Sequence, residues 1–341
     1  MNNLFQYATS ELSQDAILAW LISWADSTYA NSHPQLHQTG RYFVEQLFQK
    51  AQKQPPLYST VKTTLQRNKI DLLVELDNKH AILIEDKVYA NTHGEQLKEY
   101  WQILQQEYNP ENILPIFLKT GYQPDFTTVE GDGFYSFTAE NLMEVVEYGK
   151  NHAKVQNDIF TEFHAHLGIL IQEFKNAKNA CEQFRDTPVH QWHYWHWYGF
   201  MHHMKSVMPN ALVVNNQFRR EHMLSFIFGF HAFEQTTPNG QKIEFGPNFD
   251  LAISNNTPRL ATRIWVQELP KAYVRPLREQ LVQRLENAGL GVRGTFKNAN
   301  YSILLTRLTL DTNEKTAADL QQYLQDLQNQ LFNMDMSTIS L

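Results

Sequence analysis

The sequence predicts an α/β domain over residues 1–180 and an α+β domain over residues 187–341. In the first range, stretches with helical and strand periodicity follow one another in the order α-α-β-β-β-α-β, which is typical of an α/β fold. In the second range, short apolar runs between turn residues indicate antiparallel strands, accompanied by helices. The boundary is predicted at Thr187-Pro188, because the residue before a proline seldom continues a helix.

Length and composition are those of a folded globular protein. The 341 residues suffice for two domains with large buried cores, and 42% of them are hydrophobic and 19% charged. The single cysteine, Cys181, excludes an intramolecular disulfide and a cysteine metal cluster. The N-terminal residues lack the basic and apolar regions of a secretory signal, and no run of about 18 apolar residues could span a membrane. These features predict a cytoplasmic protein with no membrane partner.

Two helices are predicted before the first strand. Residues 11–26 carry apolar side chains at helical spacing, and a second helix extends from about His37 to Gln52. Glu11 and Asp15 lie one turn apart on the first helix. Acidic side chains are favoured there by the helix dipole alone, and this explanation is at least as good as a functional one.

The next three apolar segments predict strands. Leu57–Gln66 is the first, and Ile70–Leu76 and Ala81–Ile84 follow it. The last two are rich in Ile, Leu and Val, and Asp77-Asn78-Lys79 between them has hairpin-turn residues. The second and third strands are therefore expected to form an antiparallel hairpin.

Charged residues lie at the adjoining ends of this hairpin. Asp71 opens one strand, and Glu85-Asp86-Lys87 closes the other. Because side chains alternate along a strand, Glu85 and Lys87 share one face and Asp86 points to the other, where we expect it to be dispensable. Charge at the margin of an apolar sheet is costly unless it is paired or binds a metal ion. The pattern therefore indicates either a surface salt bridge or a cation site.

Further elements complete the first domain after a loop at residues 91–94. They are a helix at 95–107, strands at 112–119 and 134–137, a loop at 121–133, a helix at 139–148 and a long helix at 158–184. Lys119, at the end of its strand, is expected to be solvated, with contact to phosphate as the less common alternative. Gln96 and Tyr100 are spaced i and i+4 and therefore share one helical face.

The second domain is predicted to contain six strands and two helices beyond residue 210. The strands are at 211–215, 223–233, 242–245, 249–254, 259–268 and 301–308, and the helices at 273–288 and 315–332. Residues 188–205 precede them and are rich in His, Trp and Tyr. His190, His193 and His196 are spaced by three, which is compatible with a zinc site or a stacking surface for exposed bases. An aromatic helix packed in a core is favoured, because no carboxylate or cysteine accompanies the histidines at ligand spacing.

Asp71, followed by Glu85-Asp86-Lys87 on the neighbouring strand, resembles the motif of the PD-(D/E)XK nuclease superfamily, with Ile70 in place of the proline. Gln96–Tyr100 is similar to the QxxxY motif of the RecB and lambda-exonuclease branch. The layout is most similar to a bacterial PD-(D/E)XK family of unknown function, and the similarity covers about residues 1–150. A lone E-X-K triplet is unspecific, whereas the three motifs in this order are much more specific.

The resemblance implies a restriction-endonuclease-like core, a mixed sheet flanked by helices with the site at its edge. It also implies a divalent-metal-dependent nuclease, with Asp71 and Glu85 as ligands of Mg²⁺ or Mn²⁺ and Lys87 as the catalytic lysine. Carboxylate oxygens suit these hard ions, which lower the pKa of water and neutralise phosphate charge.

Other residues receive roles from the same resemblance. Gln96 and Tyr100 would be supporting catalytic residues. The first helix of the superfamily often carries an acidic residue near the metal, and Glu11 is the best match, followed by Asp15.

The implied partner is nucleic acid, with DNA favoured over RNA, in bacterial genome maintenance or defence against foreign DNA. A homodimer is also compatible with the sequence, and the second domain is predicted to serve substrate recognition or dimerisation. The net charge of −7 argues against tight nonspecific DNA binding, since residues 1–180 hold 14 basic and 22 acidic residues and residues 181–341 hold 15 and 14. Two other classes stay open, an inactive nucleic-acid-binding protein and a protein-interaction module with a vestigial nuclease fold.

Overall fold

The computed structural model describes residues 3–8, 10–88, 96–123, 125–218, 221–236, 239–240, 242–266, 271–288 and 302–334. The chain divides into two compact units, Met1–Lys178 and Asn179–Leu341. Each unit has its own sheet. The roles predicted for the two domains stay predictions. The predicted loop at 91–94 lies outside the described residues.

The first unit contains a five-stranded mixed sheet flanked by helices, so the predicted fold class is confirmed. The strands, in spatial as well as chain order, are β1 (Val61–Arg67), β2 (Ile70–Leu76), β3 (His80–Lys87), β4 (Ile113–Lys119) and β5 (Tyr135–Thr138). β1, β2 and β3 are antiparallel neighbours, whereas β3, β4 and β5 run parallel. The helices are α1 (Glu11–Ser23), α2 (Pro34–Lys50), α3 (Gln96–Leu104), α4 (Thr127–Gly131), α5 (Ala139–Asn151) and α6 (Asp158–Glu182).

Local sequence explains both hairpins of this sheet. Asn68 and Lys69 have φ of 54° and 69°, and Asp77 and Asn78 have φ of 49° and 52°. Two successive residues with positive φ match the right-handed twist of the flanking strands, and Asn and Asp tolerate this conformation best. The Asp77 carboxylate also accepts a hydrogen bond from the Thr60 amide at 2.7 Å.

The two faces of the sheet pack against different helices. On one face, alternate residues of β2 and β3, such as Leu72 and Ile84, contribute to a core shared with α1, α2, α5 and α6. On the other face, Leu73 and Leu83 lie in a core with Leu97 and other residues of α3. Residues at the end of β3 therefore point alternately toward α1 and toward α3.

α1 is positioned by a close helix–helix approach. A Cβ atom added to Gly40 of α2 would lie 2.6 Å from the Ala25 amide nitrogen and 2.9 Å from the Leu21 carbonyl oxygen. No real side chain tolerates such distances, so glycine allows α2 to pack against the C-terminal end of α1. This contact helps to fix the orientation of α1 on the sheet.

The second unit contains a six-stranded antiparallel sheet in the order β11-β10-β9-β7-β6, with β8 also paired to β9. The strands are β6 (Leu212–Phe218), β7 (Glu221–Phe228), β8 (Phe233–Thr236), β9 (Lys242–Ser254), β10 (Thr257–Val266) and β11 (Ser302–Thr309). The helices of this unit are α7 (Tyr194–Val207), α8 (Lys271–Asn287) and α9 (Ala317–Phe332).

Several predicted elements have different bounds in the structure. The strand predicted at 223–233 is divided into β7 and β8, and Gly229 between them has a φ of 71°. The strands predicted at 242–245 and 249–254 are one strand, β9, because Gly246 and Pro247 stay paired with β10. Glycine is required at 246, where a Cβ atom would lie 2.2 Å from the His231 carbonyl oxygen. The loop predicted at 121–133 contains the short helix α4.

In the part of the chain that the structure describes, every helix is too short or too polar to cross a membrane.

Candidate active site

The charged residues of the β2–β3 hairpin meet at one edge of the first sheet. Leu72 pairs with Ile84 in antiparallel register, which places Asp71 beside the end of β3. The Lys87 Nζ atom lies 3.0 Å from Asp71 Oδ2 and 2.7 Å from Glu85 Oε1. The same ammonium donates a hydrogen bond to the Asp86 carbonyl oxygen at 3.0 Å. The structure thus brings Asp71, Glu85 and Lys87 together, and their catalytic roles stay predictions.

Gln96 and Tyr100 of α3 lie on the face of the sheet to which Glu85 points. Gln96 Nε2 donates hydrogen bonds to Glu85 Oε1 at 3.0 Å and to the Tyr100 hydroxyl at 2.6 Å. Tyr100 is buried in the core between α3 and the sheet. Gln96 of the QxxxY motif therefore holds Glu85 from the side opposite to α1, and Tyr100 contacts Gln96.

α1 contributes two acidic residues with different contacts. Glu11 Oε1 accepts a hydrogen bond from the Val88 amide at 3.2 Å, immediately after the end of β3. Asp15 is buried, and its Oδ2 atom lies 3.4 Å from Gln66 Nε2, which also donates to Asp71 Oδ1 at 3.1 Å. Of the two acids, Asp15 is therefore the one linked to Asp71 by a shared hydrogen-bond donor.

Asp86 lies on the α1 side of β3, as the alternation predicts, but it is fully buried rather than at a free surface. Its Oδ1 atom accepts a hydrogen bond from Gln14 Nε2 at 2.6 Å, and Gln14 Oε1 accepts one from the Thr120 hydroxyl at 3.0 Å. Burial and the nearby Asp15 carboxylate raise the pKa of Asp86 well above its ordinary value. Asp86 and Asp15 therefore form a buried acidic pair behind the site.

Burial dominates the electrostatics of the other carboxyl groups. It raises the pKa of Glu85 to about 8, and the neighbouring Lys87 ammonium offsets only part of this effect. Burial and the Asp71 charge together raise the pKa of Asp15 to about 6. For Lys87, burial opposes the charged form, but Glu85 and Asp71 outweigh it and raise the pKa. The lysine is therefore charged at neutral pH.

The oxygen atoms present at this edge fit a hard divalent cation. Mg²⁺ and Mn²⁺ prefer carboxylate oxygens, which Asp71, Glu85 and Asp15 provide. Glu85 Oε2 and Asp15 Oδ1 are buried and accept no hydrogen bond from the described residues. Buried acceptors are normally satisfied, so each of these two atoms is a candidate to bind a further partner. Among the described residues, no group of three or more His, Cys, Asp and Glu side chains is arranged to hold a metal ion, and Asp71 and Glu85 both contact the Lys87 ammonium.

Lys119 contradicts the expectation of a solvated strand end. It pairs with Lys87 in the parallel register of β3 and β4, and only 1% of its surface is exposed. Burial lowers the pKa of Lys119 to about 8, although Glu11 and Asp86 act in the opposite direction. The sequence pattern missed this because the pairing of β4 with β3 and the proximity of Glu11 join segments that are distant in the chain.

The His- and Trp-rich segment packs in the core of the second unit. The Trp192 ring contacts the rings of Trp197 and Phe200, with centroids 4.8 Å and 5.2 Å apart. His193 and His196 contact each other with ring centroids 4.2 Å apart, and burial lowers the pKa of both. The structure therefore agrees with the interpretation of this segment as an aromatic core helix.

A comparison with protein-family models matches residues 2–185 to a family of the PD-(D/E)XK nuclease superfamily. The chain belongs to this superfamily. The resemblance inferred from the motifs is thereby confirmed, and the match includes the hairpin, α1 and α3. Neither the curated proteins nor the solved structures gave a match. Membership indicates a nuclease at the family level, and PD-(D/E)XK nucleases generally use divalent metal ions.

Sequence reasoning missed two residues that this PD-(D/E)XK site uses as hydrogen-bond donors. Gln14 binds the residue between Glu85 and Lys87, and Gln66 binds Asp71. A glutamine carries no spacing signal of its own, and both contacts connect separate elements of the fold. For Gln14, the one signal in the sequence was its position next to Asp15 on α1.

Proposed function

We propose that this protein is a nuclease that hydrolyses phosphodiester bonds in DNA with Mg²⁺ or Mn²⁺. One observation supports this above all, the convergence of Asp71, Glu85 and Lys87 at the edge of a mixed sheet in a PD-(D/E)XK protein. A surface salt bridge would account for one such pair. It does not account for a lysine held by two carboxylates while Gln96 fixes the same Glu85 oxygen.

The carboxylates are the proposed metal ligands. Asp71 and Glu85 come first, Asp15 is the candidate from α1, and Glu11 stays an alternative although its Oε1 atom binds the Val88 amide. When bound, the ion supplies positive charge to the phosphate and lowers the pKa of water.

Lys87 has a different task from the ligands. Its ammonium is charged and held within hydrogen-bond distance of two carboxylates. We place it beside the scissile phosphate, where it stabilises the negative charge that develops in the transition state. Gln96 and Tyr100 maintain the orientation of Glu85 and so keep this arrangement in place.

The biological proposal rests on the superfamily alone. It comprises a cytoplasmic bacterial enzyme in genome maintenance or in defence against foreign DNA, with the second unit serving substrate recognition or dimerisation. Residues 1–180 carry more acidic than basic side chains. A bound divalent cation offsets part of this negative charge and so reduces the repulsion of the phosphates.

Cleavage assays test the proposal. Linear, circular and single-stranded DNA and an RNA of the same sequence are incubated with the protein, with and without Mg²⁺ or Mn²⁺. We expect metal-dependent cleavage of DNA that is lost in Glu85→Ala and kept in Glu111→Ala. Glu111 is an exposed glutamate of the same unit and serves as the matched control. Metal and nucleic-acid binding without cleavage would instead favour a nucleic-acid-binding protein. If no divalent ion binds even when substrate is present, the nuclease hypothesis is refuted and the protein-interaction module remains.

A further inference from the structure

Gln66 occupies an unusual place in the β1–β2 hairpin. Leu65 pairs with Leu72 and Arg67 pairs with Ile70. Gln66 therefore lies between two paired positions of β1, opposite Asp71. The Gln66 backbone has a φ of 54°. This left-handed conformation is uncommon for a residue with a Cβ atom, and glutamine has no special tolerance for it.

The turn itself does not require this conformation. Asn68 and Lys69 form the two-residue turn, and their positive φ values suffice to reverse the chain. Gln66 lies before that turn within β1. Strained backbone conformations that local structure does not need are concentrated at functional sites, where the surrounding contacts maintain them.

The Gln66 side chain contacts two acids of the candidate site. Its Nε2 atom donates to Asp71 Oδ1 at 3.1 Å and lies 3.4 Å from Asp15 Oδ2. The other oxygen of Asp71, Oδ2, accepts hydrogen bonds from Lys87 Nζ at 3.0 Å and from the Asp86 amide at 3.1 Å. Gln66 therefore holds the oxygen of Asp71 that faces away from Lys87, and both Asp71 oxygens are fixed.

We propose that Gln66 is a positioning residue of this site, which directs Asp71 Oδ2 toward Glu85 and Lys87 and keeps the Asp15 carboxylate beside Asp71. The inference rests on the proposed function, because it treats Asp71 and Asp15 as metal ligands. Two carboxylates repel each other, and an amide that donates to both offsets this repulsion before a cation binds. Hydrogen bonds of this kind orient ligands and maintain metal affinity.

Glycine substitutions provide a sharp test because the chain offers a matched pair. Gln66→Gly removes the amide and also the Cβ atom that disfavours the left-handed backbone. Gln52→Gly is the control, since Gln52 is also an exposed glutamine with a φ of 56° but lies at the end of α2, away from the site. We expect both variants to unfold at the same denaturant concentration as the wild type or at a higher one.

Metal affinity should separate the two variants. In calorimetric titrations with Mn²⁺, we expect Gln66→Gly to bind about 10- to 100-fold more weakly than the wild type. Gln52→Gly should bind as the wild type does. Gln66→Ala, which retains the Cβ atom, should show the same loss of affinity as Gln66→Gly. Unchanged affinity in folded Gln66→Gly overturns the inference.

A crystal structure of each variant without metal gives a second and independent readout. We expect the Asp71 carboxylate to rotate, and to move away from Asp15, in Gln66→Gly but not in Gln52→Gly. If the wild type binds no divalent ion, the proposed function fails while this structural comparison still tests the role of Gln66. If Asp71 and Asp15 keep their wild-type positions in Gln66→Gly, the positioning role is refuted, whether or not the protein is a nuclease.

Discussion

The Lys87 ammonium nitrogen lies 2.7 Å from Glu85 Oε1, in a place where both side chains are buried. Two residues of one strand separated by a single position point to the same face, which explains why they meet. Because Asp71 lies beside the same ammonium, the lysine contacts two potential metal ligands at once. A divalent cation that binds Asp71 and Glu85 must therefore compete with Lys87.

Lys87→Ala should separate chemistry from metal binding. We expect cleavage to slow by about 10²- to 10⁴-fold, because a positioned charge is lost from the transition state. The affinity for Mn²⁺ should be unchanged or higher, since the competing ammonium is gone. Lys79→Ala is the control, because Lys79 is an exposed lysine in the turn of the same hairpin. A Lys87→Ala protein with normal cleavage rates would exclude the catalytic assignment.

The carboxylates should show the opposite pattern. Glu85→Gln and Asp71→Asn each remove a negative charge while keeping the side-chain shape, so both should weaken Mn²⁺ binding, and cleavage should fall with it. Glu111→Gln, at an exposed position, should change neither quantity. If calorimetry shows that ion binding survives Glu85→Gln, the ligand assignment moves to Asp15 and then to Glu11.

The sequence was sufficient to predict the hairpin and the placement of its charges. Two apolar strands around Asp77 and Asn78 have one favoured pairing, and alternation then assigns Glu85 and Asp86 to opposite faces. Both features depend on residues close together in the chain. In this hairpin, where the contacts are local, pattern and structure agree.

The contacts that complete the site depend on tertiary packing. Gln14 and Asp86 are 72 positions apart, and Gln66 and Asp15 are 51 positions apart. Whether such side chains meet depends on how α1 and the β1–β2 hairpin pack against the rest of the sheet, which no periodicity in a single segment reports. The burial of Lys119 was missed for the same reason.

The stability of the metal-free protein should fall as the pH rises from about 4 to 8. The pKa of Glu85 is raised from 4.5 to about 8 and that of Asp15 from 3.8 to about 6, so the folded state binds these protons more tightly than the unfolded state. Their contribution is complete below the unfolded pKa values and is lost as the pH passes the folded ones. Each proton contributes a slope of up to about 1.4 kcal/mol per pH unit.

Urea unfolding at several pH values measures this slope. Glu85→Gln should remove the contribution of Glu85 between about pH 4.5 and 8. The contributions of Asp15, between about pH 4 and 6, and of Asp86 should remain. Saturating Mn²⁺ should flatten the wild-type profile, because a cation favours the ionised carboxylates. A metal-free wild type whose stability does not change between pH 5 and 8 would contradict the buried, proton-binding state of Glu85.

Asp86 should matter for stability and not for chemistry. It points away from Glu85 and Lys87, so Asp86→Ala should keep the Mn²⁺ affinity and the cleavage rate of the folded protein, where Glu85→Ala loses both. The same change leaves the buried Gln14 amide without its acceptor, which should lower the free energy of unfolding by about 1–3 kcal/mol. Asp86→Asn keeps a carbonyl oxygen for Gln14 and should retain most of that stability. Urea unfolding and cleavage assays at a temperature where all variants stay folded distinguish the two effects. Equal losses of cleavage in Asp86→Ala and Glu85→Ala would show that both faces of β3 take part in the reaction.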